Sequence, residues 1–184
     1  MKNTTTRVLL SQERFQITVE RLCRQLIENY DTFEDTCLIG IQTKGVFLAN
    51  RMEKRIREIL NVPQIEYGKL DITFYRDDFR RREGHLQPNK TKIDFLVEDQ
   101  KVVFIDDVLY TGRSVRAAMD AILSFGRPSK MELLTLIDRR FSRDLPIQPD
   151  YKGRQVDSIE SQRVEVLWQE INGRDAVLLT EPNS

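Results

Sequence analysis

Two adjacent carboxylates, Asp106 and Asp107, directly follow an apolar run at residues 102–105. Uninterrupted apolar runs of this length are typical of buried parallel strands, so we expect the strand to end at this pair. Carboxylates at the end of a strand can accept hydrogen bonds from vicinal hydroxyl groups, or lie near a hydrated metal ion. The pair repels a phosphate group, so it is a candidate site for a sugar diol.

Small polar residues and a glycine come next along the chain. Thr111, Gly112 and Ser114 precede an amphipathic stretch at residues 115–125, which predicts a helix. Backbone N–H groups and hydroxyls at a helix N-terminus form a phosphate cradle, because the helix dipole favours an anion there. A strand followed by acids, a turn and a helix places the turn at the carboxyl end of the strand. Open α/β sheets bind their ligands at that edge. A phosphate beside a diol is the chemistry of a ribose 5-phosphate.

Other segments must position this turn. Ser11 predicts the N-cap of a helix over residues 11–30. A short buried strand at residues 36–41, the turn Thr43-Lys44-Gly45 and a helix over residues 46–60 form a second strand-turn-helix unit, which could bind a second anion. Further strands are predicted at residues 65–75, 130–137, 155–156, 164–169 and 176–180.

Composition fits one globular domain. The chain has 184 residues, 40% of them hydrophobic and 32% charged, which is enough for a substantial core. Its 29 basic residues balance 29 acidic ones, so no net charge attracts it to nucleic acid or a membrane. No apolar run approaches membrane-spanning length, and no signal-peptide core follows the N-terminus. Cys23 and Cys37 lie among apolar residues, and we expect buried free thiols in a reducing cytoplasm. A single histidine excludes a multi-histidine metal site.

The sequence from Val102 to Ser114 resembles the phosphoribosyl-pyrophosphate (PRPP) signature of type I phosphoribosyltransferases. The resemblance implies their α/β fold, with a central, mostly parallel sheet flanked by helices, in a single domain over residues 1–184. It also implies a small hood at about residues 139–175 and a flexible lid loop at about residues 76–92. The polar, aperiodic sequence of this second region agrees with a functional loop. Mg²⁺ would arrive with PRPP, held through PRPP and waters near the acid pair rather than by direct protein ligands.

The same family implies roles for individual residues. The turn after its first core strand holds pyrophosphate, often with a strained or cis peptide, which assigns Thr43, Lys44 and Gly45 to pyrophosphate together with Arg76. Catalysis is assigned to Asp106, Asp107 and Arg76. The implied PRPP- and UMP-binding residues are Thr43, Lys44, Gly45, Asp106, Asp107, Val108, Leu109, Tyr110, Thr111, Gly112, Arg113, Ser114, Asp138 and Arg139.

Further strings narrow the resemblance to the PyrR family, uracil phosphoribosyltransferases that also regulate pyrimidine operons by binding messenger RNA. They lie at residues 71–78, 106–121, 126–129, 138–139, 145–147 and 150–153, and the resemblance spans roughly residues 9–179. Tyr110 stands where hypoxanthine–guanine transferases typically have an aspartate, which argues against 6-oxopurines. The chain departs from the family after Arg139, where Arg140, Phe141 and one inserted residue replace the usual glycine and histidine.

The resemblance therefore implies an enzyme that converts uracil and PRPP into UMP and pyrophosphate. It further implies a homodimer or tetramer, and a pyrimidine-operon mRNA leader as a candidate partner. The candidate RNA-binding residues are Arg21, Arg24, Arg140, Arg143, Lys152 and Arg154, and the alternative for them is a solvated surface of mixed charge. Two other functions stay open, a non-catalytic nucleotide-sensing RNA attenuator and a phosphoribosyltransferase of another base specificity.

Overall fold

The computed structural model describes residues 4–76, 89–159 and 161–182. The strands in these ranges are β1 (Thr4–Leu10), β2 (Thr36–Ile41), β3 (Tyr67–Leu70), β4 (Lys101–Leu109), β5 (Lys130–Arg139), β6 (Tyr151–Val156), β7 (Arg163–Leu167) and β8 (Ala176–Pro182). The helices are α1 (Gln12–Tyr30), α2 (Gly45–Leu60), α3 (Arg113–Ile122) and the short α4 (Gln169–Asn172).

The central sheet has five strands in the order β3-β2-β4-β5-β6, and every neighbouring pair is parallel. All six residues of β2 are buried, as expected for a strand covered on both faces. The predicted central parallel sheet with flanking helices is confirmed. Because its strands run in one direction, the ends of β2, β4 and β5 meet at one edge, which is where the candidate site lies.

A second, antiparallel sheet has the order β1-β8-β7. Trp168, the residue after β7, is fully buried, and its ring contacts Phe15 of α1 and Phe47 of α2 with centroids 5.3 and 5.7 Å apart. The range predicted for the hood, residues 139–175, divides between the two sheets, because β6 forms the edge of the central sheet. Strand β1 was not predicted, since it forms only by pairing with β8 at the other end of the chain.

Several predicted strand boundaries are wrong, and the strand predicted at residues 155–156 begins at Tyr151, which pairs with Leu134 of β5. The strand expected at residues 65–75 stops at Leu70, because the Asp71 carboxylate accepts hydrogen bonds from the N–H and hydroxyl of Thr73, at 2.9 and 2.6 Å, and starts a turn. Strand β4 runs on to Leu109, since its pairing with β5 continues to the Leu109–Asp138 pair. Asp106 and Asp107 therefore lie inside a strand rather than after it.

The cysteine predictions agree with the structure, and the predicted helices agree except that α3 ends at Ile122 rather than at residue 125. The Ser11 side chain caps α1 by accepting from the N–H of Arg14 at 3.4 Å. Cys23 and Cys37 are buried free thiols, and burial raises the pKa of each to about 12. Within the described ranges, no helix has both the length and the apolar character needed to cross a membrane.

Most of the predicted lid lies outside the described residues. Residues 77–88 belong to the undescribed part, which includes the arginine run at residues 80–82. On either side, Arg76 closes the short helical turn Thr73–Tyr75, and the backbone of Lys92 pairs with that of Lys69 at 2.8 Å in both directions. The lid therefore stays a prediction.

Candidate active site

The acid pair lies near the carboxyl end of β4, in the middle of the central sheet. Asp106 and Asp107 are both half-buried. The Asp106 carboxylate accepts the N–H of Asp107 at 2.9 Å, and the Asp107 carboxylate accepts the N–H of Val108 at 2.9 Å. Each side chain thus uses one oxygen for a local backbone contact, which holds the carboxyl groups in place.

Burial makes the charged form of both carboxylates less favourable. Loss of solvent raises the pKa of Asp106 well above its usual range, and the nearby charge of Asp107 raises it further. Burial also raises the pKa of Asp107, although the positive charge of Lys44 opposes this shift. A ligand that brings hydrogen-bond donors or a cation would stabilise the charged pair. These are the properties of a diol or of a hydrated metal ion.

The turn after β4 forms a cavity of about 210 Å³, lined by Arg76, Asp106 and residues 108–115. Gly112 has φ 91°, in the left-handed region that favours glycine, and α3 begins at the next residue. A guanidinium N–H of Arg76 donates to the Ser114 hydroxyl at 3.1 Å. Arg76 therefore lies at the phosphate cradle, whereas the family resemblance had grouped it with the pyrophosphate turn.

The second turn packs directly on the acid pair. The peptide bond between Gln42 and Thr43 is cis, and Gly45 begins α2. A Cβ on Gly45 would overlap the Ile105 carbonyl oxygen and would lie 3.0 Å from the Asp106 Cα. The two strand-turn-helix units are therefore in contact, with no room for a side chain between them.

Asp138 and Arg139, predicted to bind substrate, are buried at the end of β5. The Arg139 guanidinium donates to the Ser158 hydroxyl at 2.8 Å and lies 4.1 Å from the centroid of the Tyr110 ring. Burial lowers the pKa of Arg139. Asp138 forms an ion pair with Arg143. Both side chains are thus engaged by other parts of the protein, and the structure brings them next to the cradle through Tyr110.

The predicted RNA-binding residues do not form one open basic surface. Arg21 donates to the backbone oxygen of Gly153 at 2.6 Å, Arg24 pairs with Glu20 at 2.7 Å, and Arg154 donates to the backbone oxygen of Leu9. The Arg143 guanidinium donates to the backbone oxygens of Leu109 and Arg139, at 3.2 and 2.9 Å, so most of its donors are used within the fold. Three of these arginines therefore satisfy carbonyl groups of the protein.

The remaining two, Arg140 and Lys152, do lie together. They line an open cavity of about 240 Å³ beside the ends of β5 and β6 together with Arg143, and Arg140 also pairs with Asp157 at 3.6 Å. Phe141 lines the same cavity, is 77% exposed, and has the Arg140 guanidinium 5.0 Å from its ring centroid. We call Arg140, Phe141 and Lys152 the basic–aromatic patch.

The acid pair suits Mg²⁺ held partly by substrate. In the described part of the chain, no three histidine, cysteine or acidic side chains group closely enough to hold a metal ion by themselves. Mg²⁺ is commonly bound by one or two carboxylates together with waters and substrate phosphate oxygens. Asp106 and Asp107 supply that donor set beside the cavity.

The sequence did not indicate that the segment at Asp144 and Leu145 packs against the turn that forms the cradle. The Thr111 carbonyl accepts the N–H groups of Asp144 and Leu145 at 3.0 and 3.2 Å, and Arg113 pairs with Asp144 at 2.9 Å. More than thirty positions separate these partners in the sequence, so no local pattern indicates the contact.

Comparison with known proteins identifies the family. The model of the phosphoribosyl transferase domain matches residues 6–170. The bifunctional protein PyrR of Desulfosudis oleivorans is 44% identical over 162 residues, which cover 88% of this chain and 89% of that protein. The bifunctional protein PyrR of Bacillus subtilis is 39% identical over 176 residues, which cover 95% of this chain and 96% of that protein.

Solved structures support the fold. A hypoxanthine phosphoribosyltransferase from Trypanosoma cruzi superposes with a TM-score of 0.67 at 15% identity, covering 94% of this chain and 90% of the other. A hypoxanthine-guanine phosphoribosyltransferase from Bacillus anthracis gives 0.61 at 19% identity, covering 81% of each chain. On the domain match and the PyrR relatives, which span nearly the whole length, this chain belongs to the phosphoribosyl transferase family and, within it, to the bifunctional PyrR proteins.

Proposed function

We propose that this chain transfers the 5-phosphoribosyl group of PRPP to uracil, producing UMP and pyrophosphate. One observation carries the proposal: the acid pair, the cradle after β4 and the turn before α2 meet at a single sheet edge, with Gly45 packed on Asp106. Family membership supports the chemistry, since the PyrR relatives are named as bifunctional proteins. Together the three features suit a ligand with a diol flanked by a phosphate and a pyrophosphate.

The acid pair and the cradle would hold the ribose 5-phosphate. Asp106 and Asp107 accept hydrogen bonds from the ribose hydroxyls, which stabilises carboxylates whose pKa burial has raised. Backbone N–H groups of the turn and the Ser114 hydroxyl bind the 5′-phosphate. Arg76, which donates to Ser114, adds positive charge beside that phosphate.

The turn Thr43-Lys44-Gly45 would bind the pyrophosphate. It lies at the N-terminus of the sixteen-residue helix α2, whose dipole favours an anion, and Lys44 adds a point charge. The bond from uracil N1 to C1′ forms as the C1′–O bond to pyrophosphate breaks, with loss of the N1 proton. When bound with PRPP, Mg²⁺ neutralises part of the negative charge of the leaving group. No side-chain nucleophile is needed, because holding the substrates in line and stabilising charge lower the barrier.

Two features support a pyrimidine as the base. Tyr110 provides no carboxylate to pair with N7 of a purine, and its ring stacks on Arg139. Because the Arg139 guanidinium is taken up by Ser158 and by backbone oxygens of Ile159 and Gln162, we assign recognition of the uracil edge to backbone groups after Asp138.

The direct test is uracil-dependent UMP formation from PRPP and Mg²⁺, with hypoxanthine, guanine and orotate as parallel substrates. We expect UMP and equimolar pyrophosphate from uracil, and little product from the other bases. Binding of UMP without any turnover would identify a nucleotide sensor instead. Product from another base would reassign the specificity.

We also propose that the chain binds the leader RNA of pyrimidine genes when UMP is bound. The basic–aromatic patch supports this role, because RNA loops are bound by stacking of bases on aromatic rings and by contacts of arginine and lysine with phosphates. Phe141 is largely exposed and lies next to Arg140 and Lys152. The chain carries no net charge, so this local cluster must supply the attraction.

Replacing Arg140 and Lys152 together by glutamate should weaken binding of leader RNA at least about tenfold, since each charge reversal turns a phosphate contact into repulsion. UMP synthesis should be unchanged. Filter binding measures the first and the uracil assay the second. Lys54→Glu, on the exposed face of α2, is the matched control.

In the wild type, UMP and RNA should strengthen each other's binding by the same factor. If leader RNA binds no more tightly than random RNA, the proposed RNA-binding role is wrong and the chain is a salvage enzyme alone.

A further inference from the structure

A segment after β5, residues 143–147, lies against the turn that forms the cradle; we call it the backing segment. Its backbone N–H groups at Asp144 and Leu145 both donate to the Thr111 carbonyl, at 3.0 and 3.2 Å. Its Ile147 side chain lies 3.4 Å from the position that a Cβ on Gly112 would take. The backing segment therefore contacts the turn through hydrogen bonds and packing.

Arg143 is the side chain that joins this segment to the sheet. One terminal nitrogen donates to the backbone oxygens of Leu109, at 3.2 Å, and Tyr110, while Nε donates to the Ile147 oxygen at 3.0 Å. The other terminal nitrogen pairs with the buried carboxylate of Asp138. Only the arginine fork has enough donors, in a fixed plane, to make these contacts together, because lysine carries all its donors on a single nitrogen.

These contacts fix the direction of the cradle's N–H groups. In a planar trans peptide, the C=O of one residue and the N–H of the next point in opposite directions. Arg143 holds the carbonyl of Tyr110, and the backbone of the backing segment holds that of Thr111. The N–H groups of Thr111 and Gly112 are therefore turned away from the backing segment. In the described part of the chain, neither donates to a protein acceptor.

Thr111 and Gly112 themselves line the cavity. Its lining consists of Arg76 and residues from the end of β4 to the start of α3, and the backing segment takes no part in it. We propose that Arg143 is a positioning residue of the transfer reaction, which directs the Thr111 and Gly112 N–H groups onto the 5′-phosphate. This inference rests on the proposed function. It also gives Arg143 a role other than RNA contact, although its side chain lines the same cavity as Arg140 and Lys152.

The test replaces Arg143 by lysine, which keeps the charge, and separately by glutamine. Kd is measured for UMP and for uridine, which lacks the 5′-phosphate, along with KM for PRPP and the melting temperature. We expect UMP affinity and the KM for PRPP to worsen at least about tenfold, the effect of a lost hydrogen bond to a charged group. Uridine affinity should stay within about twofold, because it does not use the phosphate cradle. Arg127→Lys, at an exposed position after α3, should match the wild type in UMP affinity, uridine affinity, KM for PRPP and melting temperature.

Each other outcome overturns the assignment. Equal losses of UMP and uridine affinity, or failure of both variants to fold, would make Arg143 a structural group without a specific effect on the cradle. Loss of RNA binding with unchanged UMP affinity would return it to the RNA surface. If the wild type makes no UMP but its preference for UMP over uridine depends on Arg143, the proposed enzyme activity fails and Arg143 positions the cradle for phosphate binding alone, so its assignment to the transfer reaction is overturned.

Discussion

Asp106→Asn and Asp107→Asn should each lower kcat/KM for PRPP about ten- to a hundredfold or more, because each removes charge-assisted hydrogen bonds worth about 1.5–3 kcal/mol. Each carboxylate accepts one backbone N–H, and an asparagine oxygen can keep that bond. Both variants should therefore still fold. Burial disfavours the charged form of both side chains, so a neutral amide should leave the melting temperature equal to that of the wild type or higher.

Steady-state kinetics with varied PRPP, together with thermal melts, measure both effects. Asp120→Asn is the matched control, since Asp120 is an exposed aspartate on α3, away from the cavity. Wild-type turnover in both single variants would show that the pair does not bind the ribose. A large fall in melting temperature with a proportional loss of activity would indicate a structural role.

Gly45→Ala should reduce kcat/KM about a hundredfold, the cost expected when a reacting group is misplaced by about 1 Å. The added methyl group would overlap the Ile105 carbonyl oxygen and press on the Asp106 Cα, both of which are backbone atoms that cannot rotate away. The turn before α2 must then separate from β4, which moves the pyrophosphate site relative to the ribose site. Overpacking of this kind also destabilises a fold by about 1–3 kcal/mol.

Activity should be measured well below the melting temperature of the variant, so that loss of folded protein does not contribute. Gly173→Asn is a suitable control, because no atom lies within 4 Å of a Cβ there and asparagine tolerates its φ of 71°. A Gly45→Ala enzyme with normal kinetics would show that the contact between the two turns does not matter for the reaction.

The central parts of the fold could be predicted because their signals are local. Buried strand β2 matches the predicted residues 36–41, and Ser11 caps α1 as expected. The cradle could also be located, since strand, acid pair, turn and helix follow one another within about twenty residues. Apolar runs, capping residues and glycines are read directly from neighbouring positions.

Long-range pairing explains the features that were missed. Strand β4 extends through Asp106 and Asp107 because β5 provides partners as far as Asp138, and β1 exists because β8 pairs with it. Arg143 resembles a surface arginine in sequence, yet its partners Leu109 and Tyr110 lie more than thirty positions away. A pattern along the chain contains no information about which carbonyls a distant arginine will meet.

A crystal structure with UMP bound tests the central claim most directly. The 5′-phosphate oxygens should lie about 2.7–3.2 Å from the N–H nitrogens of Thr111 and Gly112. The ribose hydroxyls should lie at the same distance from Asp106 and Asp107, with the base beyond Tyr110. A phosphate seated instead in the basic–aromatic patch at Arg140 and Lys152, with the ribose away from the acid pair, would contradict it.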